Sequence, residues 1–158
     1  MTATPENLQP IGLKLSAQQA LGRHLLACLP HEACGVLVGT AAAGGMRIDA
    51  YIPMRNVAPD PLHSFVPHPE DWVRALYADP APIGLFHSHP HAQPLPSAAD
   101  LQGLAALGNT FRIYLIGSPG TKETSSPVLK GYYIERSPDK NNKCAPRLIE
   151  ATVYALLK

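Results

Sequence analysis

The chain has 158 residues, 46% of them hydrophobic and only 16% charged, with 13 basic against 12 acidic side chains and a formal net charge of +1. That length suits a single domain that buries its own core. Near-neutral charge without a basic block excludes the electrostatic footprint of a duplex nucleic-acid binder, and the longest weakly polar stretch, Ala33 to Met46, falls short of the ~20 apolar residues of a membrane span.

The opening MTATPENLQP has no basic region followed by an apolar run, so no signal peptide is expected. Cys28, Cys34 and Cys144 match no CxxC spacing, which suits a reducing, cytoplasmic setting. Leu13 to Leu15 reads as a short extended entry. Ser16 and Gln19 form a capping box for a helix running to about Leu29, with Leu21, Leu25, Cys28 and Leu29 on one face and Pro30 as its stop. Ala33 to Thr40 and Met46 to Met54 read as a hairpin across the turn AAAGG. After a proline-rich connection, Phe65-Val66 is a short strand and Pro69 to about Ala78 a helix whose apolar face is Trp72, Val73, Leu76 and Tyr77. Trp72 and Tyr77 are assigned to the core.

Ile83 to Phe86 is a buried strand by composition, and Ser97 with Asp100 caps a helix from Ala98 to Leu107. Phe111 to Gly117 and Val128 to Arg136 are further strands. Ser137 to Lys143 reads as a polar loop, and Arg147 to Leu157 fits strand or helix, with strand preferred. The sum is a mixed α+β domain of about six strands and three helices, and its element order argues against a doubly wound repeat.

The segment Ile83 to Asp100, IGLFHSHPHAQPLPSAAD, carries the chemistry. His87 and His89, two residues apart at a strand end, project from one face in extended geometry. Two imidazoles and one carboxylate can hold a zinc ion and leave a position for water, and Asp100 in the first turn of the next helix is the candidate carboxylate. A His-x-His pair alone also arises as two exposed histidines, and Asp100 alone as a helix-start residue. The combination of His-x-His-Pro, Ser97 and Asp100 is long enough that chance produces it rarely. Ten of the 17 prolines fall between Pro53 and Pro96, three of them between His89 and Asp100, and stiffen the segments around these residues.

This pattern resembles the JAMM, or MPN-plus, metalloproteases, whose motif is a distant Glu followed by His-Ser/Thr-His-Pro, Ser and Asp. The upstream match is Glu32 in HEACGVLVGT, and the resemblance covers roughly Leu13 to Gly117. It implies a cytidine-deaminase-like MPN fold over residues 1–158, with a catalytic core at about 13–136 and a polar loop and terminal element at 137–158. It also implies one zinc per chain held by His87, His89 and Asp100, with Glu32 as general base. Ser97 matches the residue that hydrogen-bonds the developing oxyanion, with plain N-capping as its alternative role. His24, His31, His63, His68 and His91 lie outside the motif and are assigned to the surface, with a place at the rim of the site as the alternative for His31 and His91, and Cys34 is assigned to packing on the strand after Glu32.

The substrate implied by the resemblance is a ubiquitin-like or sulfur-carrier protein cleaved after its C-terminal Gly-Gly tail, as in compact prokaryotic members. Such a tail, lacking side chains, could add beside Phe65-Val66 or the loop after His89. The competing reading is a non-catalytic zinc-containing MPN scaffold module. A third reading, a small-molecule zinc amidohydrolase or deaminase, is disfavoured because the deaminase signatures His-x-Glu and Pro-Cys-x-x-Cys are missing. No nucleic-acid or membrane partner is expected, and the oligomeric state stays open, a homodimer being one option.

Overall fold

The computed structural model describes residues 9–42, 45–120, 126–136 and 145–157. In chain order the elements are β1 (Ile11–Lys14), α1 (Leu15–Cys28), β2 (Cys34–Ala42), β3 (Gly45–Met54), α2 (Pro69–Leu76), β4 (Pro82–Ser88) and α3 (Ala98–Gly103). A 3-10 turn at Leu104–Ala106 follows, then β5 (Ile113–Ser118), β6 (Val128–Glu135), β7 (Arg147–Ala151) and β8 (Val153–Leu156). The mixed α+β class holds, but among the described residues the sheet has eight strands rather than about six, in the order β7-β6-β5-β4-β2-β3-β1-β8.

The two additional strands come from the ends of the chain. Ile11–Lys14 pairs in parallel with both β3 and β8. Consecutive strands β7 and β8 occupy opposite edges of the sheet and are separated only by Thr152, whose carbonyl accepts from Ile11 N at 2.8 Å. This is possible because the sheet curls until its edges approach. At Gly131 of β6 a Cβ would collide with the Val153 side chain of β8.

Side chains alternate between the two faces of the sheet, as the strand period of two requires. Leu37, Phe86, Ile113 and Leu115 pack with Ala17, Leu21 and Leu25 of α1. Cys34, Val36, Leu85, Tyr114 and Ile116 face the other way, toward Ala75, Leu104 and Phe111. Two strand glycines keep the hairpin tight. Gly39 sits at the bulge of the β2·β3 register, where a Cβ would run into the Arg47 carbonyl, and Gly35 leaves the space that the Tyr51 ring fills.

Several expected local features differ. The entry strand ends at Lys14, because its pairing with Leu156 keeps that residue extended, so α1 starts at Leu15 and no side chain caps it. The Ser16–Gln19 capping box therefore does not form. Phe65-Val66 is not a strand: only an isolated bridge, Asn56 to Pro67, forms there. The helix expected over Ala98 to Leu107 is α3 followed by the 3-10 turn. Trp72 and Ala75 of α2 meet the core, Trp72 stacking on Phe111 at 5.5 Å. Successive helix residues rotate by ~100°, which turns Val73 and Leu76 outward and leaves Tyr77 86% exposed, against its assignment to the core. The strand preference for residues 147–157 is met by β7 and β8. The polar loop at 137–143 and Cys144 lie outside the described residues.

Candidate metal centre and active site

His87 lies near the end of β4 on the α2 side of the sheet and is completely buried. His89, one residue past the strand, stays in line because its amide donates to Gly117 O of β5 at 2.7 Å. The period of two therefore places both imidazoles on one face. Their Nε2 atoms are 2.9 Å apart. Asp100 closes the triangle, with Oδ1 3.2 Å from His87 Nε2 and Oδ2 3.2 Å from His89 Nε2.

A reciprocal capping box holds Asp100 in place. Ser97 Oγ accepts from Asp100 N at 3.1 Å, and Ser97 N donates to Asp100 Oδ2 at 2.9 Å. The loop between His89 and α3 is tied down twice, by His89 Nδ1 on the Gln93 carbonyl at 2.9 Å and by Tyr132 OH on the Pro94 carbonyl at 3.0 Å. Because Gln93 O can only accept, His89 Nδ1 carries a proton, and Nε2 is the nitrogen left to face the centre.

His87 is held by residues distant in sequence. The Tyr114 hydroxyl lies 2.9 Å from His87 Nδ1, and the Phe65 ring stacks on the imidazole with centroids 4.6 Å apart. Burial lowers the His87 pKa, so the ring is neutral, as a metal ligand must be. Burial alone would raise the Asp100 carboxyl. In the metal-free centre, where the Nε2 atoms can carry protons, the hydrogen bonds from His87 and His89 outweigh it and hold Asp100 well below the usual carboxylate range. His89 moves the other way: burial would lower it, and the hydrogen bond to Asp100 raises it overall.

The donor set fits zinc. Two imidazole nitrogens and a carboxylate oxygen converge on one point, and nitrogens 2.9 Å apart need a proton or a cation between them. Zinc with ligands at ~2.0–2.1 Å in a tetrahedron spaces its ligand atoms ~3.3 Å apart, close to the separations here.

Glu32 lies two residues before the start of β2 and is 6% exposed. It lines the same cavity of about 900 Å³ as His89, Ser97 and Asp100, while Phe65, Trp72 and Leu107 form an apolar wall. Its neighbour Ala33 is bolted to the ligand strand: Ala33 N donates to Ser88 Oγ at 2.8 Å, and Ser88 N donates to Ala33 O at 3.0 Å. Burial raises the Glu32 pKa to about 7, with the nearby positive charge of His89 opposing and Asp100 adding to the rise. A carboxyl poised there suits proton transfer near neutrality.

His87, His89 and Asp100 are thus brought together at one point, and Glu32 and Ser97 line the cavity beside them. Sequence reasoning missed Tyr114, Phe65 and Ser88, and for the first two no sequence signal near the motif exists. Ser88 is the residue between the two histidines and was legible in HSHP. Of the remaining histidines, His63 and His91 line the cavity and His31 is exposed. His68 accepts from Glu70 N at the start of α2. His24 is not a free surface group: it is half-buried, with Nδ1 2.6 Å from the Tyr51 hydroxyl. Cys34 is buried in the core, as expected.

Comparison with known proteins agrees with the motif. A family described as prokaryotic homologs of the JAB domain matches residues 14–128. A desampylase of Haloferax volcanii is 38% identical over 101 residues, 61% of this chain and 68% of that protein. A probable TtuB-protein conjugate cleaving protease of Thermus thermophilus is 32% identical over 50% of this chain and 53% of its own length. A CysO-cysteine peptidase of Mycobacterium tuberculosis is 34% identical over 46% of this chain and 51% of its own, so the chain spans only about half of these last two relatives. The solution structure of a Desulfitobacterium hafniense protein superposes with a TM-score of 0.71 and 25% identity, covering 94% of each chain. The chain therefore belongs to the prokaryotic homologs of the JAB domain, within the JAMM and MPN type that its histidine motif resembles.

Proposed function

We propose that this chain, acting over residues 1–158 as one catalytic domain, is a zinc-dependent peptidase or isopeptidase of the cytoplasm. Its substrate is a ubiquitin-like or sulfur-carrier protein, cleaved at the amide bond after a C-terminal Gly-Gly tail. The observation that carries this reading is the convergence of His87, His89 and Asp100 at 2.9–3.2 Å beside the buried Glu32. The similarity to a desampylase, a probable TtuB-protein conjugate cleaving protease and a CysO-cysteine peptidase supports the same reading.

His87, His89 and Asp100 would hold one zinc ion. Zinc, when bound there, supplies Lewis acidity and lowers the pKa of water toward neutrality. Glu32 takes the proton of the attacking water and delivers it to the leaving amine as the C–N bond breaks. Ser97 uses its hydroxyl oxygen to accept from Asp100 N, and its own proton remains available to donate to the oxyanion. Phe65, Trp72 and Leu107 keep bulk water from one side of the cavity. The substrate tail lies along the loop after His89. Beside Phe65-Val66, Val66 O already accepts from Val57 N and Val66 N already donates to Asn56 Oδ1, which leaves only the opposite edge of that segment for a tail.

The competing reading, a zinc-containing scaffold module, leaves a buried carboxyl in the cavity without a task. Glu32→Gln separates the two. It should retain about one zinc per chain by elemental analysis and lose carrier cleavage, whereas undiminished turnover would remove Glu32 from the reaction.

A further inference from the structure

We propose that Asn56 is a positioning residue for Glu32, locking the backbone that carries the carboxylate to the cavity wall built by residues 57–66. The proposal rests on the reading of Glu32 as the base.

Asn56 lies two residues beyond β3, and its side-chain amide is fully used. Nδ2 donates to Glu32 O and to Ser64 O, both at 3.0 Å. Oδ1 accepts from Ala58 N and Val66 N, again at 3.0 Å. Two donors and two acceptor lone pairs are all that an amide offers. Together with the Val57 N to Val66 O bond at 2.8 Å and the Asn56–Pro67 bridge, this closes residues 57–66 into a compact loop with its ends together.

The loop grips Glu32 a second time, because Glu32 N donates to Pro61 O at 2.8 Å. Both backbone polar groups of Glu32 are thus bound, one by the loop and one by the residue that closes it. On the other side Ala33 is fixed to Ser88 between the two histidines. The carboxylate is left with side-chain torsions only. The same loop presents Phe65 to the face of His87 and Phe65 and Val66 to the cavity. One amide therefore sets the base, the wall and the ring packed against a ligand in mutual register. Aspartate has the shape but no donors, alanine neither donors nor acceptors, and glutamine sets the amide one methylene too far out.

A misplacement of about 1 Å at a reacting group can cost ~100-fold in rate. Asn56→Asp should lower kcat by roughly 10- to 100-fold, leave KM within about threefold, and keep one zinc per chain, since Asn56 touches no ligand. In a Glu32→Asp background, where the carboxylate is already displaced, the same change should cost much less. Full additivity of the two, or an unchanged kcat, would overturn the proposal.

Amide hydrogen exchange supplies a readout without turnover. In Asn56→Asp the Glu32 amide, bonded to Pro61 and not to Asn56, should exchange at least about tenfold faster while His87 and Phe86 amides in β4 stay protected. An unchanged Glu32 amide would overturn the proposal. If the unsubstituted protein cleaves no carrier and the Glu32 amide still accelerates, the failure belongs to the functional reading. In the unsubstituted protein, the Asn56 side-chain NH₂ protons should exchange slowly, so exchange at the solvent rate would overturn the proposal without any variant.

Discussion

His87 and His89 point their Nε2 atoms at one another across 2.9 Å, and the proton on His89 Nδ1 is committed to the Gln93 carbonyl. The two Nε2 atoms are thus left to face one centre, and Asp100 completes it from the first turn of α3. Asp100→Asn keeps the shape and the cap but removes the charge. Elemental analysis should find well under one zinc per chain in this variant. Stripping the unsubstituted protein with a chelator should lower its melting temperature, since a metal at 100 times its Kd adds ~2.7 kcal/mol of stability. Full zinc retention by Asp100→Asn would contradict the ligand set.

Tyr114 holds His87 through the ring nitrogen that faces away from the centre. Groups in that position typically contribute 10- to 100-fold to metal affinity. Tyr114→Phe should therefore weaken zinc binding by about that factor in a competition titration against a chromophoric chelator. An unchanged affinity would reduce Tyr114 to a packing residue.

Glu32 makes the metal-free protein sensitive to pH in a defined direction. Its pKa rises from an ordinary 4.5 to about 7 on folding. Between those values the folded state binds the extra proton, so stability is full below the lower value and falls as pH rises through the upper one. Glu32→Gln cannot ionise and escapes this loss. At alkaline pH the metal-free variant should be more stable than the unsubstituted protein, by on the order of 3 kcal/mol, and the difference should vanish below about pH 4. Denaturant unfolding at several pH values measures it, and a pH-independent difference would contradict the shift.

Ser97 has two candidate tasks that glycine separates. Glycine at an N-cap costs only a few tenths of a kcal/mol relative to serine, whereas loss of an oxyanion donor costs about 10²–10³ in kcat. Ser97→Gly should keep its zinc and nearly its full melting temperature while losing turnover on that scale. Unimpaired turnover would leave Ser97 as the α3 cap alone.

Much of the site was legible because local rules govern it. A strand's period of two puts His87 and His89 on one face, and a capping box puts Asp100 beside Ser97. The residues around the centre were not legible, because what brings them there is pairing between distant strands. Tyr114 reaches His87 through the parallel β4·β5 register, and Phe65 through a loop clasped by Asn56. The same holds for the fold. Hairpin and central strands follow from apolar runs, whereas the split at Thr152 depends on β1, more than a hundred residues earlier. Tyr77 has an apolar side chain at the end of α2, but Trp72 and Ala75 already determine which way that helix faces.

The most direct test incubates the zinc-loaded protein with ubiquitin-like and sulfur-carrier proteins that bear an extension after Gly-Gly, with and without chelator, and reads the products by mass. The proposed reaction yields a carrier ending in a free Gly-Gly carboxylate and a released amine fragment, and the chelator stops it. No cleavage of any carrier by protein holding one zinc per chain would contradict it.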